Sequence, residues 1–231
     1  MIRHITKWAE RIDHPTQAPQ SIGEAFRQLT SGSPRPVEVE MPMDIMALES
    51  EVELLPATQA QAAPPIDAGQ IEAAVALLRT AEKPLIYVGS GAMDACQEIL
   101  QVAEALQAPV VSFRSGKGIV SDEHYLSANY PMGHRLWGEA DAVLALGTRL
   151  HWPLVMWGKD DDLKLVRVDI DPTQVNRICT PELGIVGDSA TVAAAIGQGL
   201  AAAGHQGASR EVELTALRQE VDAQLRDKVG P

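Results

Sequence analysis

Val166-Arg167-Val168-Asp169-Ile170-Asp171-Pro172 is the stretch that decides the fold: a short apolar run that ends in acids and a proline. Two other runs share this grammar. Leu85-Ile86-Tyr87-Val88 passes into Gly89-Ser90-Gly91-Ala92, and Ala142-Val143-Leu144-Ala145-Leu146 passes into Gly147-Thr148-Arg149-Leu150. Continuous apolar runs suit parallel strands buried on both faces. Open α/β sheets place their ligand crevice beyond the carboxyl ends of such strands. The predicted class is therefore α/β, a doubly wound parallel sheet with helices on both faces.

Working outward, Asp67 is a candidate N-cap with Gln70 three residues on, and Ile71, Ala74, Val75 and Leu78 give the helix that follows an apolar stripe. Pro84 stops that pattern and starts the first strand. A helix is expected from about Ala92 to Gln107, then a strand Pro109-Val110-Val111-Ser112-Phe113 and a Gly-rich turn. Strands at Ala142–Leu146, Leu165–Asp169 and Ile185-Val186 follow, then Gly187-Asp188 opening an Ala-rich helix, Ser189 to Ala203. The last helix carries Val212, Leu214, Leu217, Val221 and Leu225 on a face. Before this pattern, Ile22, Ala25, Phe26 and Leu29 recur at helical spacing and Val37 to Pro42 alternates like a strand. One helix and one strand cannot enclose a core, so the segment reads as the tail of a domain whose body lies elsewhere. The expected divisions are 1–44 as this incomplete tail, 45–65 as linker, 66–205 as the α/β domain and 206–231 as a connector helix.

The 231 residues suit one domain with appendages or two small domains. Apolar residues make up 45% and aromatics 4%, so Ala, Val, Leu and Ile must fill the core. A net charge of −12 with no Lys/Arg cluster argues against a nucleic-acid partner. No run of about 18 apolar residues exists and no apolar leader stands at the start, which predicts a cytoplasmic protein with no membrane partner. Cys96 and Cys179 form neither a disulfide framework nor a zinc site and read as buried or half-buried thiols.

The candidate chemistry sits at the strand ends. Gly89, Ser90 and Gly91 can let a backbone approach a phosphate at a helix N-terminus, or form a tight βα turn. The third glycine of a dinucleotide fingerprint would fall at Asp94. Arg149, after Gly147 and Thr148, can pair with phosphate or carboxylate, or with a neighbouring acid. Asp169 and Asp171 can accept ribose hydroxyls, and Asp171 before Pro172 equally suits a helix cap. Lys117 between Gly116 and Gly118 can bind phosphate or stand as an exposed loop lysine, and the absence of a Walker pattern favours the second. His124, His134 and His151 lack metal spacing. Trp137, Trp152 and Trp157 flank an apolar stretch that can line a cavity or meet a partner domain. No nucleophile, base and orienter set is apparent, so no catalytic residue or metal ligand is assigned.

The chain resembles thiamine-diphosphate enzymes of the acetolactate synthase type. Ile5-Thr6-Lys7-Trp8, Glu24-Ala25-Phe26-Arg27, Gly32 to Pro36 and Val39-Glu40-Met41-Pro42-Met43-Asp44 resemble the end of that family's pyrimidine-binding domain. Lys83-Pro84-Leu85 to Ala92, Ala108 to Val111, Gly116-Lys117-Gly118, Ala140 to Val143, Gly147 to Leu150, Val168 to Pro172 and Gly187-Asp188 resemble its central domain. The resemblance implies a sheet of about six strands. It also implies a parent enzyme, transferase or lyase, acting on a 2-oxo acid with thiamine diphosphate and Mg. Those cofactors would be held by pyrimidine-binding and diphosphate-binding domains outside this chain, leaving this part inactive alone. The central domain would serve as scaffold and homo-oligomer contact, and would hold FAD as in acetolactate synthases, ADP as in some relatives, or nothing as in many decarboxylases. The cofactor positions so implied are Gly89, Ser90, Gly91, Gly147, Thr148, Arg149, Asp169, Asp171 and Asp188. Ser112 to Gly116 departs from the Leu-Met-Gly-like loop that acetolactate synthases show there. The alternatives are a stand-alone dinucleotide-binding oxidoreductase domain and a structural interaction module.

Overall fold

The computed structural model describes residues 2–57, 59, 62–112 and 114–229. Phe113 of the expected second strand, Thr58, Ala60 and Gln61 of the expected linker, and Met1, Gly230 and Pro231 lie outside the described residues. The chain divides into two compact units, residues 1–63 and 64–231.

The first unit is a β-α-β crossover. Strand β1 (Trp8–Arg11) pairs parallel with β2 (Val37–Glu40), Trp8 lying opposite Val37. Helix α1 (Ala18–Thr30) connects them, and a short α2 (Met43–Met46) follows. The buried residues of α1 are the small Ser21 and Ala25. Ile22, Phe26 and Leu29 stay 45%, 58% and 36% exposed. The Lys7 ammonium closes the C-terminal end of α1 by donating to the carbonyls of Gln28 (2.6 Å), Ser31 and Ser33 (3.3 Å), where the helix leaves orphan acceptors and a negative dipole end. Strand β1 is not anticipated from the sequence: its four residues carry two charges and are at most half-buried.

In the second unit, a six-stranded parallel sheet runs in the order β5-β4-β3-β6-β7-β8. The strands are β3 (Pro84–Val88), β4 (Val110–Ser112), β5 (Ser127–Ala128), β6 (Ala142–Leu146), β7 (Lys164–Asp169) and β8 (Leu183–Val186). Helices α3 (Ala68–Leu78), α4 (Cys96–Leu106) and α7 (Ser189–Ala202) pack together on one face. The other face carries α5 (Tyr130–Trp137), a π-helical turn at Pro153–Trp157 and the short α6 (Pro172–Val175). This is the predicted doubly wound class. Asp67 caps α3 through the Gly69 N–H (2.8 Å), but Gln70 does not close a capping box: its amide donates to the Gly184 carbonyl on β8 (3.1 Å). The α-helix expected from Ala92 begins at Cys96, after a 3₁₀ turn at Ser90–Ala92.

Leu85, Ile86, Val143, Leu144, Leu165 and Val166, from the three middle strands, are buried. Val75, Ile99, Val102, Ile196 and Leu200, from the three helices on one face, belong to the same core. Helix α8 (Glu211–Val229) docks on this unit with Leu214 and Val221 buried. Glu213 takes hydrogen bonds from Arg210 (2.9 Å) and Lys83 (3.0 Å). Arg218 donates to the carbonyls of Asp122 (3.2 Å), His124 (2.8 Å) and Ser127 (2.6 Å), and Arg135 pairs with Glu220 (2.9 Å).

Candidate ligand crevice at the strand ends

Strands β3, β6, β7 and β8 are neighbours, so the sheet gathers their carboxyl-end residues along one edge. Gly89 and Gly147 let the first two strand-end turns touch. A Cβ on Gly89 would lie 2.5 Å from the Gly147 carbonyl oxygen, and Gly147 sits at φ +57 against the Gly91 backbone. Four of the amides there are already engaged. Gly89 N–H donates to Leu146 O (3.1 Å), Gly91 N–H to Gly147 O (3.0 Å), Ala92 N–H to Gly89 O (3.1 Å) and Gly147 N–H to Val168 O (3.0 Å). Ser90 and Gly91 face solvent.

Thr148 Oγ1 accepts from the Leu150 N–H (3.1 Å) and so turns the chain after β6. That turn leaves the Arg149 side chain exposed, with no hydrogen bond or ion pair among the described residues. One strand over, Asp169 is half-buried and accepts from the Asp171 N–H (3.0 Å). Asp171 caps α6 through the N–H and hydroxyl of Thr173 (2.9 and 2.7 Å). Asp188 caps α7 through the N–H and hydroxyl of Thr191 (both 2.9 Å). The edge thus presents one unspent guanidinium beside half-buried carboxylates. That arrangement can pair an anion and accept hydroxyl protons. Among the described residues it contains no nucleophile next to a base.

The other sequence candidates lie apart from this edge. Lys117 pairs with Asp122 (2.9 Å), whose carboxyl that bond holds below the usual range. His124 stacks on Tyr125 and lies 3.5 Å from Glu104. His134 and Trp137 pack on Trp157, while His151 and Trp152 are exposed. Cys96 and Cys179 are free, half-buried thiols. Among the described residues no three His, Cys, Asp or Glu side chains come together as metal ligands. A groove of about 520 Å³ lies within the first unit, lined by Trp8, Arg11, Gln17, Ser21, Glu24 and Leu55 among others, and includes none of the predicted positions.

Arg167, not among the sequence candidates, is the largest fully buried side chain among the described residues. Its terminal nitrogens donate to Arg149 O and Arg177 O, each 2.7 Å, while its Nε has no partner among the described residues. Burial pushes the guanidinium's pKa down, and the charge of Asp169 opposes that shift. A cation in the middle of an apolar parallel strand is the signal that marks it. Tyr87 Oη and Ser112 Oγ are likewise buried without partners among the described residues, both near carboxyl ends.

Residues 71–196 match the family described as thiamine pyrophosphate enzyme, central domain. The chain is 34% identical to glyoxylate carboligase of Escherichia coli O157:H7 over 203 residues, covering 80% of this chain and 33% of that protein. It is 32% identical to the acetolactate synthase large subunit of Corynebacterium glutamicum, covering 82% and 32%. With 2-hydroxyacyl-CoA lyase of Arabidopsis thaliana it shares 31% identity, covering 83% and 35%. The chain therefore spans about a third of the length of these relatives. On these matches and on the six-stranded sheet that carries them, the chain belongs to the thiamine pyrophosphate enzyme family through that family's central domain.

Proposed function

We propose that this chain is the central part of a thiamine-diphosphate-dependent enzyme of 2-oxo acid chemistry, synthase-like or decarboxylase-like, and that its strand-end crevice holds an adenine nucleotide, as FAD or ADP. One observation carries the reading. Arg149 stands exposed with no side-chain partner among the described residues, one strand from the half-buried Asp169. Arg149 pairs the diphosphate, Asp169 or Asp171 takes ribose hydroxyls, and Asp188 borders the site from β8. Gly89 and Gly147 bring the two turns together rather than donating to phosphate, because their amides are engaged. Thiamine diphosphate supplies the carbanion chemistry when bound. In this reading it lies with magnesium between pyrimidine-binding and diphosphate-binding domains, of which residues 1–44 are the tail of the first and 206–231 the connector to the second. Scaffold and self-association roles fall to this part, the latter through Ile22, Phe26 and Leu29.

Calorimetry with FAD, ADP and ATP on the wild type and on Arg149→Ala is the test. One of the three is expected to bind, with affinity falling about tenfold in the variant, as for loss of one charge-assisted pair. Unchanged affinity removes Arg149 from the site, and no binding leaves the crevice a scaffold. The same titration with thiamine diphosphate and magnesium is expected to show no binding to these 231 residues alone.

A further inference from the structure

We infer that Arg167 is a positioning residue: one buried guanidinium clamps the loop that carries Arg149 to the loop after α6 and so sets the crevice's grip on phosphate. This rests on the nucleotide reading above for its consequence, not for its geometry. Arg167 is fully buried on β7, opposite Ala145 of β6 and Gly184 of β8, small neighbours that leave its long side chain room on that face of the sheet. Its two terminal nitrogens reach Arg149 O and Arg177 O at 2.7 Å each. These are the strand-end loops on either side of the β7 terminus.

The two carbonyls are in distinctive places. Each belongs to the peptide bond that leads into a left-handed, non-glycine residue: Leu150 at φ 47 after Arg149, and Ile178 at φ 78 after Arg177. Such conformations are unfavourable for branched side chains and persist only where surroundings over-determine them. The guanidinium fork is that surrounding at both positions, because its planar donors fix the direction of both carbonyls at once. Its charge also faces Asp169, two residues along on the same face of β7, whose carboxylate opposes the desolvation of the guanidinium. One side chain therefore orients the anion-pairing arginine, through the backbone, and neighbours the hydroxyl-accepting acid. A Val or Leu at 167 would continue the apolar run of the strand but could make neither hydrogen bond.

Hydrogen exchange and ligand titration on the full chain test the clamp, using wild type, Arg167→Met and Arg167→Lys. In Arg167→Met the amides of residues 149–151 and 177–179 are expected to exchange about tenfold faster or more, with those of β3 and α4 unchanged. ADP affinity is expected to fall about tenfold while adenosine affinity holds, since only the phosphate partner is displaced. Arg167→Lys, which keeps the charge but lacks the fork, is expected to free one loop and retain part of the ADP affinity. It also serves as the measurement if Arg167→Met does not fold. Unchanged exchange in both loops overturns the clamp. Equal loss of ADP and adenosine affinity overturns its link to phosphate and leaves a merely structural arginine. If the wild type binds no ADP, the nucleotide reading falls by itself, and the exchange data still decide whether the clamp exists.

Discussion

The two units use the same β-α-β grammar and reach opposite outcomes. In residues 64–231, strands β3 and β6 are buried along their whole length, and helices cover both faces. In residues 1–63, β1 and β2 pair in the same parallel sense, yet no residue of either strand is fully buried. Helix α1 turns Ser21 and Ala25 inward and leaves Ile22, Phe26 and Leu29 outside. Parallel pairing therefore does not make a core. The core comes from a second helical layer and from enough strands to shield each other, and the first unit has neither among its described residues.

Substitutions that strike the two units differently test this contrast. The largest effect is expected at Gly147→Ala, in the second unit. The new methyl meets the Gly91 backbone at a left-handed position. Strain and overpacking together should cost on the order of 3 kcal/mol, read as a lower denaturant midpoint. An intermediate effect is expected from acid. Hydrogen bonds from Arg210 and then Lys83 bring the Glu213 carboxyl from 4.5 down to about 2, despite some burial. The folded value is below the unfolded one, so this contribution is full above about pH 4.5 and disappears as pH falls toward 2. Thermal unfolding between pH 6 and 2.5 should show α8 loosening in that window, and Glu213→Gln should flatten the dependence. The smallest effect on stability is expected at Phe26→Ser in the first unit, within about 0.5 kcal/mol, because the ring is already exposed. Its readout is light scattering: self-association should weaken in the variant. A stability loss as large as that of Gly147→Ala would show that the α1 stripe is covered after all.

The same contrast explains what the sequence made legible. Strands β3, β6 and β7 could be read directly, since burial on both faces demands an unbroken apolar run. Strand β5 has two residues, and β1 mixes Trp8 and Ala9 with Glu10 and Arg11, so neither shows a period. Helix α5 is hidden by Pro131 and Gly133, although Asn129 accepting from the Met132 N–H (3.0 Å) is an N-cap that the order Asn-Tyr-Pro announces. At the crevice, the strand-end positions of Arg149, Asp169 and Asp188 were predictable from where the apolar runs stop. Which amides were already engaged was not, because Gly91 meets Gly147 only after β3 and β6 pair. Arg167 lay in the deciding stretch from the start, but its role depends on two carbonyls that are 18 and 10 residues away.

Arg218 and Gln70 have a consequence for how large the sheet can grow. In β5 the backbone groups of Ser127 point away from β4. Its N–H is taken by the His124 carbonyl (3.0 Å) and its carbonyl by Arg218 (2.6 Å). At the opposite edge, Gly184 of β8 presents its carbonyl outward and receives the Gln70 amide (3.1 Å). Side chains from α8 and α3 thus occupy acceptors that another chain's strand would need. An uncapped edge is a template for strand addition and aggregation. Here a side chain from each of two helices, one from each end of the unit, covers an outward carbonyl at an edge of the six-stranded sheet, so keeping α8 docked keeps one of those acceptors closed to a further strand.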